Sequence, residues 1–362
     1  MTSLSGLPVA WSADCLRHEP AGEVWLGVWE TGTEVPERAN RLLAALTQAG
    51  VSVKDAMAHD TNALLAVHDP ELVEHLATIW EQWEAGGYER DYGRSRVVPY
   101  VFPTPGLLGD LPMRSPVATH GRVGRFCYDT MTLVGPGSWE AIKGAADAAL
   151  TAAALVAAGT PIAYALCRPP GHHTTRSAYG GSCYLNNAAI AAQSLRDSGA
   201  ERVAVIDIDA HHGNGTQAIF YDRPDVYYGS LHVDPGAGWF PHYAGYADER
   251  GRGLGIGANR NIPLAPGTSD DAWLAAVRRL CEEARGADAV VVSLGVDAAV
   301  DDPESPLQVS VDGYRQAGEL IGALGPVVAV QEGGYDLPSL GGLVVATLTG
   351  LMAGASTGRP VR

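Results

Sequence analysis

From about residue 138 onward, strand-like and helix-like segments alternate along the chain, and this order constrains the fold more than any other sequence feature. Residues 203–208 are almost continuously apolar and β-branched, which is typical of a strand buried on both faces. The alternation predicts an α/β domain whose central parallel sheet is covered by helices on both faces. The predicted strands are residues 161–167, 203–208, 226–231, 289–294 and 326–330, and the predicted helices are residues 138–158, 186–197, 270–285 and 313–323.

The first 137 residues are less regular. Residues 38–48 and 72–83 have helical patterns, whereas residues 88–136 are rich in Gly, Pro and Arg and show no sustained period. We predict a long loop insertion at about residues 88–136, which covers a site or forms a subunit contact, because loops of this length in compact domains are usually functional.

The length of the chain leaves the number of domains open. At roughly 150 residues per domain, 362 residues correspond to about two domains, but α/β chains often exceed that length as one domain. Because neither a linker nor an internal repeat interrupts the sequence, we predict a single domain over residues 1–362.

Charge and cysteine usage exclude several classes of protein. The formal charge of −16 argues against a nucleic-acid-binding or membrane-surface protein, since both need a basic face. Five cysteines without a C-x-x-C spacing argue against a disulfide framework and favour a reducing compartment. No signal-peptide pattern is visible, and the apolar stretches 145–158 and 342–355 are too short or too interrupted to span a bilayer. We therefore expect a soluble, cytoplasmic protein.

Clusters of polar residues follow four of the predicted strands, at residues 168–173, 209–215, 295–297 and 331–335. In an open parallel sheet, ligands bind outside the carboxyl ends of the strands. We therefore expect the four clusters to converge on one site.

Asp209 and His211 lie two positions apart at a strand end, so their side chains point the same way and can share a metal ion. Asp297 is a third candidate ligand from another strand end. Three protein ligands plus water describe an open catalytic site, and two carboxylates with one imidazole suit Zn²⁺ but also Fe²⁺, Co²⁺ or Mn²⁺. The alternative is that Asp209 caps a turn and His211 packs in the core.

Two further clusters contain candidate catalytic side chains. His172 and His173 follow a rigid Pro-Pro-Gly turn, where adjacent imidazoles suggest acid–base chemistry beside a metal. Tyr335 follows two glycines, so its hydroxyl can swing over a site and act on a developing oxyanion. Taken alone, surface histidines and a packed turn tyrosine would also explain these residues.

Five strings, in order along the chain, resemble motifs of the histone deacetylase family, closest to its bacterial acetylpolyamine amidohydrolase and class II-like branch. The strings are residues 168–173, 181–187 (GSCYLNN), 207–217 (DIDAHHGNGTQ), 293–297 and 332–335, with further resemblance at residues 35–38 and Trp139. The resemblance implies a single arginase–deacetylase type catalytic domain. It also implies removal of an acetyl or related acyl group from an acetylpolyamine, an acyl-lysine or another N-acetyl amine.

The resemblance assigns roles to the residues of the metal site. It implies Zn²⁺ held by Asp209, His211 and Asp297, with His173 as general base and acid. Tyr335 is implied to share the oxyanion with the metal.

It also implies roles for residues around this site. His172 resembles the electrostatic partner of His173 and is oriented by Asp207. Asn214 stands where it would contact His173, and an asparagine there resembles the class II and polyamine branch rather than class I. Arg38 resembles the arginine of an inner acetate-release cavity, which makes it a candidate substrate-binding residue. A structural K⁺ is implied as well, with Asp207 and the backbones of Asp209, His211, Ser230 and Leu231 as ligands.

The substrate tunnel departs from the family pattern. Gly181, Ser182 and Phe240 are candidate substrate-binding residues, but many relatives carry an aromatic wall at the position of Ser182. Serine predicts a wider or more polar tunnel, with Trp239 or Phe240 as the other wall. Residues 111–128 contain no carboxylate, so this loop predicts no strong preference for acetylputrescine over a neutral N-acetyl amine.

Two other functions remain as alternatives. An arginase- or agmatinase-like ureohydrolase shares the fold but needs a two-manganese cluster with additional bridging carboxylates. A non-enzymatic scaffold would retain the residues without activity. The resemblance implies a small-molecule or acyl-lysine substrate, no nucleic-acid partner, and a homodimer in which residues 88–136 form a contact, and the charge argues against a membrane partner.

Overall fold

The computed structural model describes residues 4–357, whose strands form one eight-stranded sheet and a separate two-stranded hairpin. In chain order the strands are β1 (Val9–Trp11), β2 (Glu23–Trp25), β3 (Val28–Glu30), β4 (Val53–Asp55), β5 (Ile162–Ala165), β6 (Val203–Asp207), β7 (Val226–Val233), β8 (Asn259–Leu264), β9 (Ala289–Leu294) and β10 (Val327–Gln331). The large sheet has the order β4-β1-β5-β10-β9-β6-β7-β8, and all its neighbouring strands are parallel. The predicted parallel α/β sheet is confirmed.

Helices cover this sheet. In chain order they are α1 (Glu37–Gln48), α2 (Asn62–Leu65), α3 (Pro70–Ala85), α4 (Tyr88–Tyr92), α5 (Pro105–Leu108), α6 (Thr119–Phe126), α7 (Ser138–Ala157), α8 (Asn187–Asp197), α9 (Asn214–Phe220), α10 (Asp270–Ala284), α11 (Val311–Gly322) and α12 (Leu337–Thr357). Helix α7 packs on β5, α8 on β6 and α10 on β7. All residues of β5, β6, β7, β9 and β10 are buried, as expected for strands covered on both faces.

The sequence patterns did not predict β1, β4, β8 and α12. Strands β1 and β4 have three residues each, which is too short to show a period. Strand β8 is rich in polar residues and contains Pro263, which is tolerated because β8 lies at the edge of the sheet.

Residues 88–136 contain three short helices, α4, α5 and α6, where a long loop is predicted. These helices have five, four and eight residues, so they show at most about two helical turns in the sequence. Helix α6 packs against α3, and the Tyr88 ring stacks on Trp83 with ring centroids 4.1 Å apart. The segment is therefore an ordered part of the fold.

Helix α12 is the one helix among residues 4–357 that is long and apolar enough to cross a membrane, judged by length and composition alone. It packs along α11 and α1, and half of its most apolar window is buried in the protein, as in the core helix of a globular domain. Residues 342–355, expected to be too short or too interrupted to span a bilayer, lie within this longer helix, which continues through its glycines. These glycines allow close packing on α11: a Cβ atom at Gly350 would lie 2.0 Å from the Arg315 carbonyl oxygen.

The strand order determines where polar residues meet. Strands β5, β10, β9 and β6 lie side by side, and these are the strands that precede the four polar clusters. Because the strands are parallel, their carboxyl ends share one edge of the sheet. The expected convergence of the four clusters is therefore what the topology produces.

Candidate active site

Asp209, His211 and Asp297 come together beyond the ends of β6 and β9. The Nδ1 atom of His211 lies 3.3 Å from Asp209 Oδ1 and 3.0 Å from Asp297 Oδ2. One ligand atom from each residue lies within 4.8 Å of the others, and both carboxylates are buried. This arrangement is typical of three protein ligands around one cation.

Backbone groups hold the two carboxylates in position. The Ala210 N–H donates to Asp297 Oδ1 at 2.7 Å, and the Gly333 N–H donates to Asp209 Oδ2 at 2.8 Å. A Cβ atom at Gly295 would lie 2.0 Å from Asp209 Oδ2, so the close approach of chain and carboxylate requires glycine there.

The electrostatics of these three residues fit a divalent cation. Burial and the neighbouring Asp209 carboxylate raise the pKa of Asp297 to about 8, because two buried negative charges repel each other. Burial opposes the charged form of His211, but the Asp209 and Asp297 carboxylates raise its pKa well above the ordinary value. A bound cation would relieve the same repulsion, and two carboxylates with one imidazole are donors that Zn²⁺ accepts.

His172 lies beside these three residues. Its Nδ1 atom is 3.1 Å from Asp207 Oδ2, and its Nε2 atom is 3.7 Å from Asp209 Oδ1. Burial opposes protonation, but the two carboxylates raise the pKa of His172 to about 10. The Glu332 carboxylate, to which no role was predicted, accepts the N–H groups of Gly171 at 2.7 Å and His172 at 3.1 Å. These carboxylates therefore favour the protonated form of His172, which is held from both its ring and its backbone.

His173 differs from its neighbour in charge. Its Nδ1 atom lies 2.7 Å from Asn214 Oδ1, an oxygen that only accepts, so we assign the ring proton to Nδ1 and leave Nε2 as an acceptor. Burial and the charges of His172 and His211 hold the pKa of His173 well below its ordinary value. The two adjacent imidazoles therefore have pKa values shifted in opposite directions.

Aromatic side chains and a glycine surround the His173 ring. Phe240 contacts it edge to face, with ring centroids 4.8 Å apart. The indole N–H of Trp239 instead donates to the Glu304 carbonyl oxygen at 2.9 Å. A Cβ atom at Gly181 would lie 2.4 Å from the His173 ring, so this position requires glycine. Tyr128 stacks 6.5 Å from Phe240 and donates its hydroxyl proton to the His173 carbonyl oxygen at 2.9 Å. Tyr128 was missed because its surroundings lack a sequence period.

Tyr335 follows β10 through a glycine turn in which Gly334 has a φ of 120°. The guanidinium carbon of Arg38 lies 4.7 Å from the centre of the Tyr335 ring. Burial raises the pKa of Tyr335 well above its ordinary value; Arg38 opposes this and the charges of Asp209 and Asp297 add to it. The phenol is therefore protonated and can donate a hydrogen bond near the two carboxylates.

The Arg38 guanidinium is buried and engaged by protein groups. Its Nε atom donates to the Gly334 carbonyl oxygen at 2.7 Å and its Nη2 atom to the Glu332 carbonyl oxygen at 2.6 Å. Its Nη1 atom donates to the Glu34 carboxylate at 2.9 Å. In the structure Arg38 thus supports the turn that leads to Tyr335, and its assignment to substrate binding stays a prediction.

The Ser182 position opens onto a small cavity that Glu23 also lines. Ser182 has a φ of 59°, and its N–H donates to Thr132 Oγ1 at 2.8 Å. Burial and the charges of Glu304 and Asp129 raise the pKa of Glu23 to about 7. The sequence pattern did not predict Glu23, because it lies on the short hairpin of β2 and β3, far in sequence from residues 111–128 and from the strand ends that carry the polar clusters.

The groups expected to bind K⁺ lie on two adjacent strands. Asp207 ends β6 and pairs in register with Ser230 of β7, which is buried together with Leu231. Asp207 Oδ1 accepts the Asp209 N–H at 3.2 Å, and Oδ2 accepts the Tyr228 hydroxyl at 3.0 Å. The K⁺ ion itself stays a prediction.

Similar proteins are known over nearly the whole length of the chain. The family model of the histone deacetylase domain matches residues 32–351. Acetylpolyamine amidohydrolase from Mycoplana ramosa is 40% identical over 347 residues, covering 95% of this chain and 99% of that protein. Acetylpolyamine amidohydrolase from Burkholderia pseudomallei is 44% identical over 329 residues, covering 89% and 92%.

Solved structures share the fold. A crystal structure of acetylpolyamine aminohydrolase from Burkholderia pseudomallei has a TM-score of 0.90 and 40% identity, and the match covers 96% of this chain and 99% of that one. The crystal structure of the HDA15 HD domain has a TM-score of 0.77 and 27% identity, with coverage of 96% and 92%.

Proposed function

The chain belongs to the histone deacetylase family, and on that premise we propose that it is a zinc-dependent amidohydrolase that removes the acetyl group from an acetylpolyamine. The observation that carries this proposal is the buried group of Asp209, His211 and Asp297 beside a neutral His173 and a protonated Tyr335. Bound Zn²⁺ would supply Lewis acidity toward a carbonyl oxygen and would acidify water.

The chain's own residues then move the protons and stabilise the charge. His173 accepts a proton at Nε2 as water adds to the amide carbonyl, and it returns that proton to the leaving amine as the C–N bond breaks. The hydrogen bond to Asn214 keeps Nε2 free for this purpose. The Tyr335 hydroxyl group donates a hydrogen bond to the oxyanion that develops on the substrate carbonyl. The products are an amine and acetate.

His172 contributes to this reaction through its positive charge and does not transfer a proton. The ring is anchored by Asp207 on one side and faces Asp209 on the other. Its charge lowers the pKa of His173 and adds positive potential where the oxyanion forms.

The negative charges of Glu23, Asp129 and Glu304 favour a substrate that carries a positive charge. The charges of Asp129 and Glu304 help to raise the pKa of Glu23, and a substrate ammonium would stabilise the ionised form of that carboxylate. Residues 111–128 predicted no preference for polyamines, but these carboxylates lie outside that loop. The names of the relatives and these charges together lead us to propose that an acetylated diamine or polyamine is preferred.

Glu23→Gln should weaken the binding of acetylputrescine selectively. A hydrogen bond to a charged group is worth about 1.5–3 kcal/mol, so KM for acetylputrescine should rise roughly tenfold or more. A neutral N-acetyl amine lacks the ammonium, so its KM should stay within about twofold of the wild-type value. The measurement is steady-state kinetics of the wild type and Glu23→Gln on acetylputrescine, acetyl-lysine and a neutral N-acetyl amine.

Glu30→Gln is the matched control for this experiment. Glu30 lies opposite Glu23 in the register of the hairpin, and its side chain is exposed. The Glu30 charge also contributes to the raised pKa of Glu23, so its removal should favour the ionised form of Glu23 and change KM less than about threefold. Equal changes for charged and neutral substrates in Glu23→Gln would contradict recognition of an ammonium group there.

We also propose that the protein is a homodimer whose contact includes the hairpin of β2 and β3. The hairpin exposes four large apolar side chains, Trp25, Leu26, Val28 and Trp29. Beside it lies a groove of about 930 Å³ lined with the aromatic rings of Trp83, Tyr88, Tyr92 and Tyr100. Contiguous exposed apolar surface of this kind is typical of a protein contact.

Trp29→Glu should convert the dimer into a monomer, because it places a charge in the apolar contact. Light scattering coupled to gel filtration should give twice the mass of one chain for the wild type and one chain for the variant. Leu254→Glu, at another exposed apolar side chain, should remain dimeric. A monomeric wild type at micromolar concentration would contradict the proposal.

We also propose that the protein is cytoplasmic and that it binds a structural K⁺. All five cysteines are buried and unpaired, which is typical of a reducing compartment. The buried Asp207 carboxylate at the end of β6, beside the backbones of Ser230 and Leu231, supports a monovalent-cation site.

The geometry does not favour the ureohydrolase alternative. Within residues 4–357 the other cluster of candidate ligands is His172, Cys183 and Glu332, which contains one carboxylate. A two-manganese centre needs several bridging carboxylates, whereas Asp209, His211 and Asp297 suit one ion. Metal analysis should therefore give about one ion per chain.

A further inference from the structure

The peptide group that joins Gly334 to Tyr335 is held from both sides. Its carbonyl oxygen accepts the Arg38 Nε–H at 2.7 Å, and its N–H donates to Asp302 Oδ2 at 2.6 Å. Gly334 has a φ of 120°, and glycine has little intrinsic preference for one orientation of the following peptide plane. Because this plane precedes the Tyr335 Cα atom, its orientation sets the direction in which the phenol leaves the backbone.

The Asp302 carboxylate is built into the turn by three backbone donors. Oδ2 accepts the N–H groups of Tyr335 and, at 3.1 Å, Asp336, while Oδ1 accepts the Glu304 N–H at 3.0 Å. The residue is 6% exposed, so water does not compete strongly for these bonds. Charge-assisted hydrogen bonds of this kind are about twice as strong as neutral ones.

We propose that Asp302 is a positioning residue that holds Tyr335 in the orientation needed to donate to the oxyanion. This inference rests on the proposed function, since it takes the Tyr335 hydroxyl as the donor. Asp302 acts through the Gly334–Tyr335 peptide and does not touch the substrate. Its loss should therefore reduce kcat and leave substrate and metal binding nearly unchanged.

Asp302→Asn tests this role. The amide keeps one accepting oxygen but turns an NH₂ group toward at least one backbone N–H, so the peptide loses its fixed orientation. We expect kcat to fall roughly 10- to 100-fold, which is below the 10²–10³-fold loss of a whole oxyanion donor, with KM within about threefold. Metal content should equal that of the wild type. Asp301→Asn, at the exposed neighbouring carboxylate, should keep the wild-type kcat.

A double-mutant cycle separates positioning from a general structural effect. In a Tyr335→Phe background, Asp302→Asn should reduce kcat by less than about threefold further, because the hydroxyl that it positions is gone. Asp302→Glu keeps the charge but displaces it by one methylene, so its kcat should lie between those of the wild type and Asp302→Asn. It provides the same test if the amide variant does not fold.

The possible outcomes separate the two claims. If either Asp302 variant lowers kcat by the same factor with and without the Tyr335 hydroxyl, the positioning role is overturned. Wild-type rates for Tyr335→Phe alone would instead contradict the proposed function.

Discussion

Asp209→Ala should purify without its metal ion and without measurable deacetylase activity. The substitution leaves Asp297 and His211 as the remaining ligands, and the Gly333 N–H that donates to Asp209 loses its acceptor. Loss of an outer hydrogen-bond partner of a metal ligand typically costs about 10–100-fold in metal affinity, so loss of a ligand itself should cost more than about 100-fold. The measurements are metal per chain by elemental analysis and kcat/KM on an acetylated amine.

His211→Ala should give the same result, since it removes the imidazole that lies between the two carboxylates. Asp248→Asn, at an exposed carboxylate, is the control and should keep both metal and activity. Treating the wild type with a chelator should abolish activity, and adding Zn²⁺ back should restore it. Full activity of metal-free protein, or of the Asp209 variant, would contradict the proposed zinc dependence.

Tyr335→Phe should retain the metal but turn over far more slowly. The substitution removes one hydroxyl and keeps the ring against Arg38, so the turn should stay folded. Removal of a single oxyanion donor typically costs about 10²–10³-fold in kcat, which corresponds to roughly 2.7–4 kcal/mol of transition-state stabilisation. Because the interaction belongs to the transition state, KM should change by less than about threefold.

Tyr243→Phe is the matched control for this variant. Tyr243 is 95% exposed, so loss of its hydroxyl should leave kcat unchanged. Equal metal content of both variants and the wild type would show that any difference arises after metal binding. A Tyr335→Phe enzyme with wild-type kcat would remove tyrosine from the proposed mechanism.

The central sheet was largely predictable because buried strands carry a strong local signal. Residues 203–208 and 289–294 are almost continuously apolar, with only Asp207 and Ser293 as exceptions, and the structure has β6 and β9 there. The order of the strands was not predictable, because pairing of β10 between β5 and β9 depends on contacts between residues far apart in sequence. Strands β1 and β4 left no pattern, since three residues are too few for one.

The part of the candidate site that could be predicted from the sequence consists of polar residues that follow buried strands. Asp209, His211 and Asp297 were expected together, and the structure places them so. Glu23 and Tyr128 were not expected, since each lies in an irregular segment where neither periodicity nor spacing distinguishes it from a surface residue. Their positions depend on contacts between segments that are distant in sequence: Val24, next to Glu23, hydrogen-bonds with Thr130, and Tyr128 donates to the His173 carbonyl oxygen.

The sequence by itself determined which side chains follow each buried strand, because burial on both faces makes the strands mostly apolar and the polar clusters stand out where the strands end. Tertiary structure decided the rest. The order of strands β5, β10, β9 and β6 set which of those ends meet. Burial beside particular neighbours raises the pKa of His172 and lowers the pKa of His173, although the sequence shows two identical adjacent residues. Charge state depends on distances to other charges and to water, and those distances exist only in the folded chain.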